Sequence, residues 1–200
     1  FAITTNMVQW AALAIGVYCV GSWVQTIRLR DPASYALMAN PGFIGLTIAG
    51  GLMSYISYGL SPFLFLYAKQ QFGVGAESGL TLGLITAIGG GLGATFGGIF
   101  GDWLRRHHAG GRMIVMLIAA IGSAVTIYAS YAVTSLNAFY AFAAINIFIH
   151  IMWLGPCAAT VQDLVLPRMR GTATAVFFLG TTILGLGLGP YLTGLVSDVT

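Results

Sequence analysis

Apolar residues run along this chain in segments of about 20 or more, separated by short polar connections and without strand-like alternation. Lipid satisfies no backbone N–H or C=O, so a segment long enough to cross ~30 Å of hydrocarbon should be a helix. Six spans are expected: Met7 to Ile27, Ala36 to Tyr67 with a bend near Pro62, Ser78 to Phe100, Met113 to Val133, Asn137 to Val161 and Thr172 to Val196. The first has no basic residue before its apolar run and exceeds the ~7 to 15 residues of a signal-peptide core, which favours a true span. The expected fold class is all-α, a polytopic transmembrane helix bundle.

Composition changes the picture in one respect: it removes water as the solvent. The chain of 200 residues is 58% hydrophobic and 6% charged, against roughly 25% charged in soluble domains. Arg28 and Arg30, Arg105, Arg106 and Arg112, and Arg168 and Arg170 fall in alternate connections, all on one side. The other side holds Lys69, Glu77 and Asp198. By the positive-inside rule the arginine side is cytoplasmic. The net charge of +3 is then a topology signal, and nucleic acid, which needs a clustered basic face, is not an expected partner. Cys19 and Cys157 lie inside spans as small apolar fillers, so no disulfide, metal or cofactor is expected.

Small and polar residues within the spans carry the candidate function. Gly89, Gly93, Gly97 and Gly101 recur every four residues along one face, where another helix should pack closely. Gly185 and Gly189 repeat the pattern before Pro190, which should kink its helix. This spacing fits either a moving part or static packing. Asn146, His150, Trp153 and Cys157 follow steps of four, three and four, and Gly51, Ser54, Tyr55 and Tyr58 group on an earlier helix. Polar groups in a membrane line wet cavities or bond to neighbouring helices. A substrate cavity bordered by Ser54, Tyr55, Tyr58, Asn146, His150 and Trp153 is one expectation; a purely structural hydrogen bond from His150 is the other.

A resemblance enters with the connections. Gly97-Gly98-Ile99-Phe100-Gly101-Asp102-Trp103-Leu104-Arg105-Arg106 resembles the loop signature of the major facilitator superfamily. Gly155-Pro156, the run Gln162 to Gly171, Gly185 to Pro190 and Leu195 to Asp198 resemble the carboxy-terminal half of that family, closest to its Spinster-like branch. Trp103 departs from the usual basic residue, and Arg105 stands where a glycine is common.

The resemblance makes the spans the family's sixth through eleventh helices. It implies one span with a short cytoplasmic connection over 1–35 and an incomplete carboxy-terminal transporter half over 36–200, part of a longer chain whose amino-terminal half is missing. It further implies secondary active transport of a small or amphiphilic solute, such as a lysolipid or sphingoid lipid, in a bacterial cytoplasmic membrane. Its cytoplasmic gate would comprise Gly98, Asp102, Arg105, Arg106 and Arg170, with Asp102 facing the helix start at Gly171 and Thr172. The alternative is a nontransporting subunit or receptor. An intramembrane enzyme fits least, because His150 has no acid at its depth.

Overall fold

The computed structural model describes residues 2–75 and 77–199. These form α1 (Ala2–Arg30), α2 (Pro32–Met38), α3 (Pro41–Phe72), α4 (Glu77–His107), α5 (Gly111–Ala132), α6 (Leu136–Ile151), α7 (Leu154–Asp163), a 3₁₀ turn (Pro167–Met169) and α8 (Arg170–Val199). The chain divides into two compact units, 1–44 and 45–200.

In the first unit, α1 covers the first expected span and at 29 residues reaches ~44 Å. It stops at Asp31 because Pro32 biases the residue before it away from helical geometry and suits the first position of α2. Arg28 returns over the ring of Tyr35, 5.8 Å from its centroid. The second expected span therefore starts later than Ala36. Asn40 caps α3, its Oδ1 accepting from Gly42 N at 2.8 Å, and Pro41 occupies the first helical position.

In the second unit, α6 packs against α4 and α5, and α7 against α4, α5 and α8. Among the described residues, five segments are long and apolar enough to cross a membrane: Pro41–Phe72, Glu77–His107, Gly111–Ala132, Leu136–Asp163 and Pro167–Gly187. Their outer faces carry Ile88, Leu117, Ile121 and Val125, all exposed, as a bilayer solvent requires.

At the Lys69 end, Ala68, Leu82, Phe139 and Ala143 form a buried cluster. Tyr67 closes it, stacking edge-on to Tyr131 and donating its hydroxyl to the Tyr131 carbonyl at 3.0 Å. There α3 ends on Gly73, whose φ of 63° is a left-handed conformation open to glycine.

Between α6 and α7 a single expected span is divided. Asn137 to Val161 is covered by two helices, α6 and α7, with a turn at Met152 and Trp153. Pro156 explains the break: it has no N–H to offer the Met152 carbonyl four residues earlier. The Met152 N–H turns instead to Ile149 O at 3.3 Å, and regular bonding resumes with Cys157 N to Trp153 O at 3.0 Å. By contrast, helical geometry runs without interruption through Pro62 in α3 and Pro190 in α8.

Candidate functional site

The small residues of α4 set how close the helices come. A β-carbon at Gly93 would collide with the carbonyl of Phe148, and one at Gly97 with the carbonyl of Met152. Gly89 lies against Ile147 and Ala144, and Gly101 against the ring of Pro156. The glycine face of α4 thus meets main chain at the α6–α7 break, where the Met152 carbonyl lacks its helical donor. Only a residue without a side chain admits that carbonyl.

Packing of α8 on α3 follows the same rule. A β-carbon at Gly185 would stand 2.5 Å from Ser54 Cβ, and one at Gly189 would stand 3.0 Å from Gly59 N. Gly51 receives Leu184 in the reverse sense.

These contacts position a polar group in the middle of the spans. His150 of α6 is buried, and its Nε2 lies 2.7 Å from Ser57 Oγ of α3. Its Nδ1 and the indole Nε1 of Trp153 are buried without a hydrogen bond of ordinary geometry among the described residues. Asn146, one turn before His150, faces another neighbour: its Nδ2 donates to Ser123 O at 2.8 Å and to Thr126 Oγ1 at 2.9 Å, both on α5. The helical spacing that groups Asn146 with His150 therefore serves two interfaces. On α3, Ser54 is buried beneath Gly185, Tyr55 is half-buried and Tyr58 is exposed.

The second cluster lies at the arginine end. Arg112, the most enclosed of the charged residues there, donates through Nε and Nη2 to Asp102 Oδ1 at 2.9 and 2.6 Å. Its Nη1 donates to Asp163 Oδ2 at 2.5 Å. Arg105 also pairs with Asp163. Two cations and two anions thus tie α4, the start of α5 and the end of α7 together, beside a small cavity of about 120 Å³ lined in part by Thr160.

In this structure the bonded partner of Asp102 is Arg112, because the short connection 108–110 folds α5 straight back over α4. The fold is so tight here that a β-carbon at Gly111 would strike the main chain at Leu104 and Arg105. Arg106 and Arg170 are exposed and outside the ion pairs found among the described residues. Gly98 packs its Cα near Gly155 of α7.

Comparison with known proteins gives this geometry a family. Residues 7–190 match the model of the Major Facilitator Superfamily. The chain belongs to that superfamily. Within it, the chain is 30% identical over 195 residues to Protein spinster homolog 1 of Xenopus tropicalis, covering 88% of this chain and 35% of that protein. It is 27% identical over 191 residues to the Sphingosine-1-phosphate transporter SPNS2 of Mus musculus, covering 88% and 34%. An MFS-type efflux pump of Mycolicibacterium smegmatis is 27% identical over 164 residues, covering 81% and 38%. The chain spans about a third of the length of these relatives.

The major facilitator fold is also seen in space. A bacterial homolog of the human lysosomal transporter Spinster, inward-facing and unoccupied, superposes with a TM-score of 0.73 at 24% identity, over 84% of this chain and 35% of that one. Its occupied form gives a TM-score of 0.65 over 80% and 35%. This protein is an integral, multi-pass membrane protein of a transporter superfamily.

Sequence reasoning missed Ser57, Asp163 and the bridging role of Arg112. Ser57 looks like any small polar residue of α3, and nothing in its own helix marks it as the partner of His150. Arg112 and Asp163 are 51 positions apart, and only the return of α7 toward α5 brings them together.

Proposed function

We propose that this chain forms part of a secondary active transporter that moves an amphiphilic organic solute of the lysolipid or sphingoid type across a bacterial cytoplasmic membrane. The observation that carries the reading is the likeness, over 88% of this chain, to Protein spinster homolog 1 and to a sphingosine-1-phosphate transporter. The mycobacterial efflux pump among the relatives supports the bacterial setting.

Transport in such folds proceeds by rocking two halves around a midplane site. In this reading Ser54, Tyr55, Tyr58, His150 and Trp153 border that site. Asn146 already uses its amide hydrogens on α5 and holds α6 in place. His150 is the group best suited to a polar headgroup, because it is a buried ionisable side chain in a region where few polar atoms exist.

Gating belongs to the arginine end, which this reading places in the cytoplasm. Arg105 pairs directly with Asp163 and Arg112 bridges Asp102 to Asp163, so the ends of α4 and α7 separate only if the Arg105 contact and one of the Arg112 contacts both break. Asp102 is the more exposed of the two acids and so the one whose contact opens at least cost in solvation. Gly98, Arg105, Arg106 and Arg170 flank this gate.

The test is flux. The full-length protein, purified into proteoliposomes, should carry sphingosine-1-phosphate or a lysophospholipid down an imposed ion gradient. Binding without any flux would make it a receptor or subunit and overturn the proposal.

A further inference from the structure

The arginine end carries more positive charge than its ion pairs use. Asp102 and Asp163 are both engaged by Arg112 and Arg105. Arg106, Arg168 and Arg170 are exposed and outside the ion pairs found among the described residues. The contact of Arg105 with Asp163 brings their two segments side by side, since Arg106 follows Arg105 on α4 and Arg168 follows Asp163 across one short connection.

Both segments also expose apolar side chains. Trp103, one turn before Arg106, is 52% exposed and stacks on Phe100 at 5.8 Å between ring centroids, and Phe100 stacks on Phe96 at 5.7 Å. This row of rings runs along α4 out of the apolar part of the span and ends beside Arg106 and His107, as aromatic residues do at a headgroup layer. In the connection after α7, Val165 and Met169 are buried and anchor the chain, while Leu164, Leu166, Arg168 and Arg170 are exposed. An exposed leucine beside an exposed arginine suits neither bulk water nor hydrocarbon. It suits the boundary between them, where apolar groups enter the acyl region and cations meet phosphate. We propose that Arg106, Arg168 and Arg170 form a binding site for the phosphates of anionic phospholipid, at the level of Trp103 and Leu166. An acidic protein segment offers the same charge but gives the exposed tryptophan and leucine no apolar surroundings. The site is independent of which solute is transported.

The test follows the melting temperature of the full-length protein in neutral detergent as phosphatidylglycerol or the zwitterionic phosphatidylcholine is added. Phosphatidylglycerol should raise it, and phosphatidylcholine should not. Glycerol phosphate, the same head without its tails, should have no effect at equal concentration. Each arginine at an anionic surface contributes about fivefold in affinity. Arg106→Gln, Arg168→Gln and Arg170→Gln combined should therefore need on the order of a hundredfold more phosphatidylglycerol for the half-maximal rise. Arg168→Gln alone should need about fivefold more, and decides the matter if the triple variant does not fold. Lysine at all three positions should keep the response, because it binds phosphate as a point charge. Glutamine variants that respond like the wild type overturn the site. A fall in melting temperature that is equal with either lipid also overturns it, and is the result expected if an acidic segment of the longer chain covers the arginines. Glycerol phosphate acting as well as the lipid would make it a site for free anions and overturn it too.

Discussion

Ser57 and His150 make a hydrogen bond between side chains of α3 and α6. Interhelical bonds of this kind contribute about 0.6 kcal/mol on average and up to ~1.7. A double-mutant cycle with Ser57→Ala and His150→Ala should therefore give a coupling in that range by thermal or denaturant unfolding. If His150 also meets the solute, His150→Ala should weaken substrate affinity while Ser57→Ala leaves it nearly unchanged. Equal loss of stability in both variants with affinity intact would make the histidine structural only. His150 was legible in the sequence because an ionisable group inside an apolar span stands out. Its partner was not, since a serine in such a span can bond its own helix as readily as another, as Ser130 does to Thr126 O.

Elements were legible where apolar length alone decides them, and less so where a single residue redirects the chain. The spans now seen as α4, α5 and α8 follow from their apolar runs. The α6–α7 break depends on what Pro156 denies to Met152, and the sequence pattern shows a proline without showing whether the helix bends or parts; Pro62 and Pro190 sit within continuous helices. The glycine spacing on α4 was readable, and its partner was not. Gly97→Ala should destabilise the protein by roughly 1 to 3 kcal/mol, as overpacking does, because the added carbon meets the Met152 main chain. Gly91→Ala, on the same helix with nothing within 4 Å, should be neutral or slightly stabilising. Melting curves of the two variants side by side decide this; matched melting temperatures would mean α4 and α6 part more easily than their contact suggests.

For the whole molecule, the fold and family were readable from order and spacing of motifs, while the wiring of the charged cluster at the arginine end was not. Charge pattern tells which ends lie together but not which acid meets which base, and a two-residue difference in the 108–110 connection would have sent Arg112 elsewhere. With the arginine end inside, cysteines placed beside Arg30, Arg106 and Arg168 should react with an impermeant maleimide only after the membrane is opened. Labelling from outside intact cells would invert the orientation. Asp102→Asn in the full-length protein should shift spin-label distances across the cytoplasmic side toward the open state, with folding retained because Arg112 keeps Asp163. An unchanged distance distribution would remove Asp102 from the gate. The contact of Gly97 with the Met152 carbonyl has a further consequence for how this half moves. Burying a methionine or lysine side chain costs ~1.5 to 2 kcal/mol of rotamer freedom, and a glycine none. A seam of main chain against main chain has no rotamers to freeze when it closes and none to release when it is warmed. Heating should loosen the side-chain contacts around this seam first, leaving α4, α6 and α7 to swing as one stiff lever at temperatures where the rest of the bundle has begun to soften.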